Sequence, residues 1–259
     1  MEAGLSNKSD IQSVDLFGIP VVAAGMSEVM DMVHAAITAK QRMDIGVVNA
    51  AKVVNMHRNP ELKEAVLSSD VIFADGAAVV WASKLLGKPL PERIAGIDLM
   101  WEMYKRGNID KYRIFCFGAT EEVNKKVAEI IEKEFPGVAL VGRRNGYYDR
   151  EEEEEIADHI AATKADILLV AMTSPKKEKF MAKWGDKMGV HVIHGVGGSF
   201  DVMSGKVKRA PEIWQKLGME WLYRVLQEPG RLWKRYFITN SLFLWMLFKG
   251  ILKRPFTRN

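Results

Sequence analysis

Asp75 is the first residue in this chain whose setting suits chemistry. It follows the apolar run Val71-Ile72-Phe73-Ala74 and precedes Gly76, so it stands at the carboxyl end of a candidate strand, partly desolvated and placed for general-base work. The same position suits a cap for the helix that follows. Asp201 has a comparable setting beyond Gly195-Val196-Gly197-Gly198-Ser199-Phe200, where it can bind a hydroxyl or cap a helix. Those glycines fit no dinucleotide fingerprint, because Phe200 stands at the third glycine position, and no Gly-Lys-Ser/Thr of a phosphate-binding loop follows. Pro89-Leu90-Pro91-Glu92-Arg93-Ile94-Ala95-Gly96 is a rigid loop that delivers one arginine. A diphosphate or carboxylate ligand accounts for Arg93, and so does a surface pairing of Glu92 with Arg93. Metal ligation has little support: the chain has no Asp-x-Asp, and its five histidines show no ligand spacing on a helix face. His191 and His194, three apart in a candidate strand, point to opposite faces. The single cysteine, Cys116, lies within Arg113-Ile114-Phe115-Cys116-Phe117; it excludes an intramolecular disulfide and reads as a buried, inert thiol.

The elements that must position these residues follow a repeating order. Candidate strands at Ile45–Asn49, Val71–Ala74, Arg113–Phe117, Val138–Gly142, Ile167–Ala171 and His191–His194 are separated by helix-length segments. The helical patterns are Ser27–Ala39, Asn59–Ser68, Ala78–Leu86, Ile97–Lys105, Glu121–Lys133, Arg150–Ala161 and Pro175–Lys187. This alternation predicts an α/β fold, a Rossmann-like, mostly parallel sheet with helices on both faces. Leu16–Val21 is a short extra piece suited to an edge strand. Ligands of open α/β sheets bind beyond the carboxyl ends of the strands, and small and polar residues follow each candidate strand here. The site is expected along that edge.

Charge divides the chain. Residues 206–259 hold 12 of the 37 Lys/Arg but only 3 of the 33 Asp/Glu, so the basic excess is C-terminal and attracts a polyanion or an anionic surface. Pro211–Glu228 reads as an amphipathic helix with Ile213, Trp214, Leu217, Trp221, Leu222 and Val225 on its apolar side. Pro229-Gly230 breaks it, and Arg231–Leu252 follows, rich in aromatic residues and leucine. The densest apolar run there, Ser241–Phe248, is short of the ~20 residues of a bilayer span but suits a helix lying in a membrane interface. Packing against the main domain, or against a second copy in a homo-oligomer, is the alternative. The aromatics are bundled with leucines rather than interleaved as a stacking platform, which argues against nucleic acid. The first residues form no cationic, apolar signal segment, which points to the cytoplasm. These patterns divide the chain into a catalytic domain, 1–210, and a basic, aromatic-rich helical appendage, 211–259.

Taken in order, Asn49-Ala50, Asp75-Gly76, Pro89–Gly96, Asn145-Gly146-Tyr147-Tyr148, Pro175-Lys176-Lys177-Glu178-Lys179-Phe180, Gly195–Asp201, Arg209-Ala210-Pro211 and Gly218–Arg224 resemble the WecG/TagA/CpsF glycosyltransferases, family 26, over roughly residues 14–235. The resemblance implies an inverting, metal-independent transfer without a cofactor. A sugar would move from a UDP-sugar to a saccharide on a polyprenyl diphosphate, at the inner face of the cell membrane, in exopolysaccharide, teichoic acid or common-antigen synthesis. It makes Asp75 the base, puts Asn49 and Arg93 on the acceptor side, and gives the donor Gly118, Tyr147, Lys177, Gly197, Gly198, Ser199 and Asp201. Arg224 and Arg231, in the appendage, would close over the UDP diphosphate and offset its developing charge. Three positions depart from the pattern: Val47 replaces a Thr, Ala51 a Glu, and Lys177 a Gln. They shift the expectation from an N-acetylmannosamine donor toward an exopolysaccharide branch using glucose or another hexose. Two other classes remain to be tested: a non-catalytic nucleotide-sugar or lipid-binding protein on the same scaffold, and a nicotinamide-dependent oxidoreductase, which the absent G-x-G-x-x-G disfavours.

Overall fold

Apolar runs short enough for buried strands, each followed by a segment long enough for a helix, can satisfy their backbone groups only by pairing in parallel with helices covering both faces. The computed structural model has this architecture and describes residues 12–253. Six parallel strands form the sheet: β3 (Met43–Val48), β4 (Val71–Ala74), β5 (Arg113–Gly118), β6 (Ala139–Arg144), β7 (Ile167–Ala171) and β8 (Val192–His194), in the spatial order β4-β3-β8-β7-β5-β6. Register is fixed by alternation. Ile45, Val71, Phe73, Cys116, Leu169 and Val192 face one side, against α1 (Met26–Thr38), α5 (Gly96–Asp110) and α6 (Glu121–Glu134). Phe115, Phe117, Leu168, Val170 and Ile193 face the other, against α7 (Glu153–Ala162) and α8 (Lys176–Met188). On that second side Val48, Ile72 and Ala74 meet α2 (Ala50–Arg58), α3 (Pro60–Leu67) and α4 (Ala77–Leu85). Cys116 is fully buried, and burial pushes its thiol up to about 12, consistent with an inert packing role.

Two expectations need revision, and one helix was not foreseen. Leu16–Val21 belongs to a separate antiparallel hairpin, β1 (Ser13–Leu16) and β2 (Ile19–Val22), turning through Phe17 and Gly18 at positive φ. The hairpin packs beside β4, whose residues are all buried. The segment after Asn49 is helical: Asn49 caps α2 by accepting from Lys52 N, and Asn59 ends it while capping α3 by accepting from Leu62 N. Pro211–Glu228 is two helices, α10 (Glu212–Lys216) and α11 (Glu220–Gln227), not one. The break falls at Gly218, which has φ +68° and lies so close to α4 that a Cβ there would stand 2.7 Å from Ala77 Cβ.

Pro229 is the first residue of α12 (Pro229–Leu252), the last helix of the described chain. Its apolar residues divide between two surroundings. Phe243 and Leu247 are buried among Val53, Val54, Leu62, Val79 and Leu90, with Phe17 edge-on to Phe243 at 5.3 Å. Trp233, Phe237, Leu244, Trp245, Phe248 and Leu252 are exposed. No helix among the described residues is long and apolar enough to cross a membrane.

Candidate active site

The carboxyl ends of the strands open into a cleft of about 1540 Å³, walled by the sheet edge on one side and by Gly218, α11 and α12 on the other. Asp75 lies in it, half-buried. Its backbone N–H donates to Val48 O at 2.9 Å, continuing the β3–β4 ladder one residue past β4. The carboxylate does not cap α4, whose N-cap is Gly76 with no side-chain bond. Instead Oδ1 accepts from Gly96 N, at the start of α5, at 3.0 Å. Among the described residues Oδ2 makes no hydrogen bond. One oxygen is therefore anchored and the other is open to the cleft, the arrangement a general base needs. Asn49 stands alongside, since a Cβ on Gly76 would lie 3.0 Å from its own Cβ.

Beneath Gly96 lies a residue that motif reading did not assign. His194 is fully buried, its Nε2 3.1 Å from Gly96 O. That carbonyl can only accept, so Nε2 carries the proton and Nδ1, which has no partner, is bare. Burial, reinforced by the Lys177 charge, holds the imidazole down to about 4. Gly96 thus sits between a neutral histidine and the Asp75 carboxylate. The signal in the sequence was its position as the last strand residue before Gly195.

Lys177 lies under the glycine loop. It is only 8% exposed, its Nζ donates to Gly195 O at 3.3 Å, and it shares Glu178 with Lys52. Lys52 Nζ is 2.8 Å from Glu178 Oε1 and Lys177 Nζ 3.8 Å. Two ammonium groups on one buried carboxylate leave a cationic excess. Burial, then repulsion from Lys52, lowers Lys177 to about 8. Gly195 leaves room for this side chain: a Cβ there would lie 3.2 Å from Lys177 Cδ and Cε, a tight contact. Gly197 takes φ +56°, and its N–H is already bonded to Val170 O. Ser199 opens α9 (Ser199–Met203) and its Oγ donates to Val196 O at 2.7 Å, and Asp201 pairs with Lys206 at 3.5 Å. Much of the loop's polar capacity is spent internally, so it serves as a shaped floor.

A network of charges joins this floor to the C-terminal helices. Arg93 pairs with Glu220 at 3.2 Å and Asp98 at 3.6 Å, not with Glu92, which instead accepts from Met26 N at the start of α1. Arg209 grips Asp98 through two bonds of 2.7 and 2.8 Å, and Arg224 lies 3.8 Å from Glu220. At the far side Tyr147 projects into the cleft, and Lys176 Nζ bridges to Gly146 O while lying 3.6 Å over the Tyr148 ring.

Of the residues expected at the site, the cleft brings together Asn49, Asp75, Arg93, Tyr147, Lys177, Gly197, Gly198, Ser199, Asp201 and Arg224. Gly118 is not on its wall; Ala119 and Thr120 are. At φ +121° a Cβ on Gly118 would fall 2.3 Å from Ala171 O, so the glycine answers a backbone contact between β5 and β7. Arg231 lies in α12, with its side chain outside the described residues. No group of three His, Cys, Asp or Glu among the described residues is placed to hold a metal ion.

A carboxylate at a strand end in a large cleft is suited to general-base work, and comparison with known proteins specifies the class: this is a glycosyltransferase. The chain belongs to the glycosyl transferase WecG/TagA/CpsF family, whose model matches residues 14–256. It is 40% identical over 178 residues to the N-acetylglucosaminyldiphosphoundecaprenol N-acetyl-beta-D-mannosaminyltransferase of Bacillus spizizenii strain W23, covering 69% of this chain and 68% of the relative. The non-catalytic and oxidoreductase readings give way to a transferase.

Proposed function

We infer that this enzyme moves a sugar from a UDP-sugar to a hydroxyl of a saccharide carried on polyprenyl diphosphate, with inversion and without a metal, in the synthesis of a cell-surface polymer. Asp75 carries the reading. Its open Oδ2 takes the proton of the acceptor hydroxyl as that oxygen attacks the anomeric carbon, and UDP leaves with the electrons of the broken bond. Direct displacement needs a single base. The charge developing on the UDP diphosphate is met by Arg224 and Arg231 from the C-terminal helices, the role a divalent cation fills elsewhere. Asn49 and Arg93 stand on the acceptor side, and Tyr147 with the Gly197–Asp201 floor on the donor side.

N-acetylmannosamine is the donor sugar we favour, from the relative's name and from the placement of Lys177. That lysine departs from the family's glutamine, yet its amine is engaged with Gly195 O and Glu178 beneath the floor, so the change need not alter what the sugar meets. Incubating the protein with a panel of UDP-sugars and an N-acetylglucosaminyl-diphosphate lipid tests the reading. UDP release and a disaccharide lipid with UDP-N-acetylmannosamine are expected. Product only from UDP-glucose would replace the donor, and no product from any donor would overturn the reading.

A further inference from the structure

The cleft does not stop at the polar residues. Past Asp75 it continues between α4 and α12, which line it with facing stripes at helical spacing: Ala78, Trp81 and Leu85 on one side, Asn240, Leu244 and Leu247 on the other. At 1.5 Å per residue this arm runs about 15 Å from Asp75 to Leu85. The two helices converge at its far end, where a Cβ on Gly250 would lie 3.0 Å from Leu86 Cδ2. At its inner end the α10–α11 turn closes on Trp81 at Gly218, and Trp221 meets Tyr236 at 5.7 Å. Between these contacts Trp81 (52%) and Leu244 (63%) remain exposed. A soluble surface seldom leaves such a group uncovered without a partner.

We propose that this arm is a groove for the proximal part of the acceptor's polyprenyl tail. The proposal rests on the lipid acceptor inferred above. Three observations choose this occupant. The arm is continuous with the cleft holding Asp75, so a ligand entering it already has its head group at the base. Arg235, beside Tyr236 at the inner end, lines the cleft without an ion pair among the described residues, which suits a diphosphate where the polar and apolar parts of such a lipid join. Trp245 and Phe248 are exposed on the same helix outside the cleft, an apolar surface that suits the membrane in which the rest of a long tail would lie.

Calorimetric titration of the full chain with geranylgeranyl diphosphate and with inorganic diphosphate tests the groove without a donor. The prenyl compound should bind at least about tenfold more tightly, as only a modest share of its apolar surface need be covered for that factor. Leu244→Asp, at an exposed position, should abolish the difference, while Trp245→Asp, outside the cleft, should preserve it. Equal affinities, a preference that survives Leu244→Asp, or one lost equally in Trp245→Asp would overturn the proposal. So would a parent dimer that Leu244→Asp converts to monomer with no effect of the prenyl compound, since the groove would then cover a second copy. Groove-dependent prenyl binding without sugar transfer from any donor would leave the groove standing and sink the transferase reaction inferred above.

Discussion

Lys177 is a departure from a family pattern whose amine is held by Gly195 O and Glu178. Its burial beside Lys52, with one carboxylate between them, lowers it to about 8, whereas in the unfolded chain it titrates near 10.4. Between these values the unfolded chain holds a proton the folded one lacks, so stability climbs with pH across that window, and below about 8 the fold carries the full cost of the buried charge. Lys177→Gln removes this dependence. Urea unfolding of both proteins should show the parent gaining on the variant by on the order of 3 kcal/mol between pH 8 and 10.5; parallel curves would mean that the ammonium is solvated in the folded state. Asp75 was legible from its neighbours alone, a carboxylate behind four apolar residues. His194 and the partners of Arg93 were not, because Gly96 and Glu220 reach them across 98 and 127 residues of chain.

At the scale of elements, strands were legible because burial on both faces writes them as continuous apolar runs. The α2 helix was not: Ala50–Arg58 contains adjacent Val53 and Val54, poor helix formers, and is held by asparagine caps and by the helix packed over it. Gly118 was read as a ligand glycine for want of any sequence signal distinguishing close backbone approach from substrate approach. Its geometry makes a sharp prediction. Gly118→Ala places a Cβ against Ala171 O, and either β5 or β7 must shift. Chemical denaturation should show a loss of at least about 3 kcal/mol, and a change under about 1 kcal/mol would mean that the strands yield easily.

For the molecule as a whole, core packing claims one side of α12, and its exposed aromatic side is where membrane contact is to be tested. Phe243 and Leu247 close the core, so removing the helix from residue 236 onward would strip that core as well as any membrane surface. Replacing only the exposed Trp245 and Phe248 by serine separates the two. Binding to anionic vesicles should fall more than tenfold in co-sedimentation, given ~1.5–3 kcal/mol for each large side chain inserted, with thermal stability unchanged; undiminished vesicle binding would assign those aromatics to another contact. The proposed reaction turns on one oxygen of Asp75, and the most direct measurement is the transfer rate of Asp75→Asn with UDP-N-acetylmannosamine and a lipid-linked N-acetylglucosamine acceptor. The account predicts a drop of about 10²–10⁴-fold in kcat with UDP affinity retained. Transfer at the parent rate would contradict it.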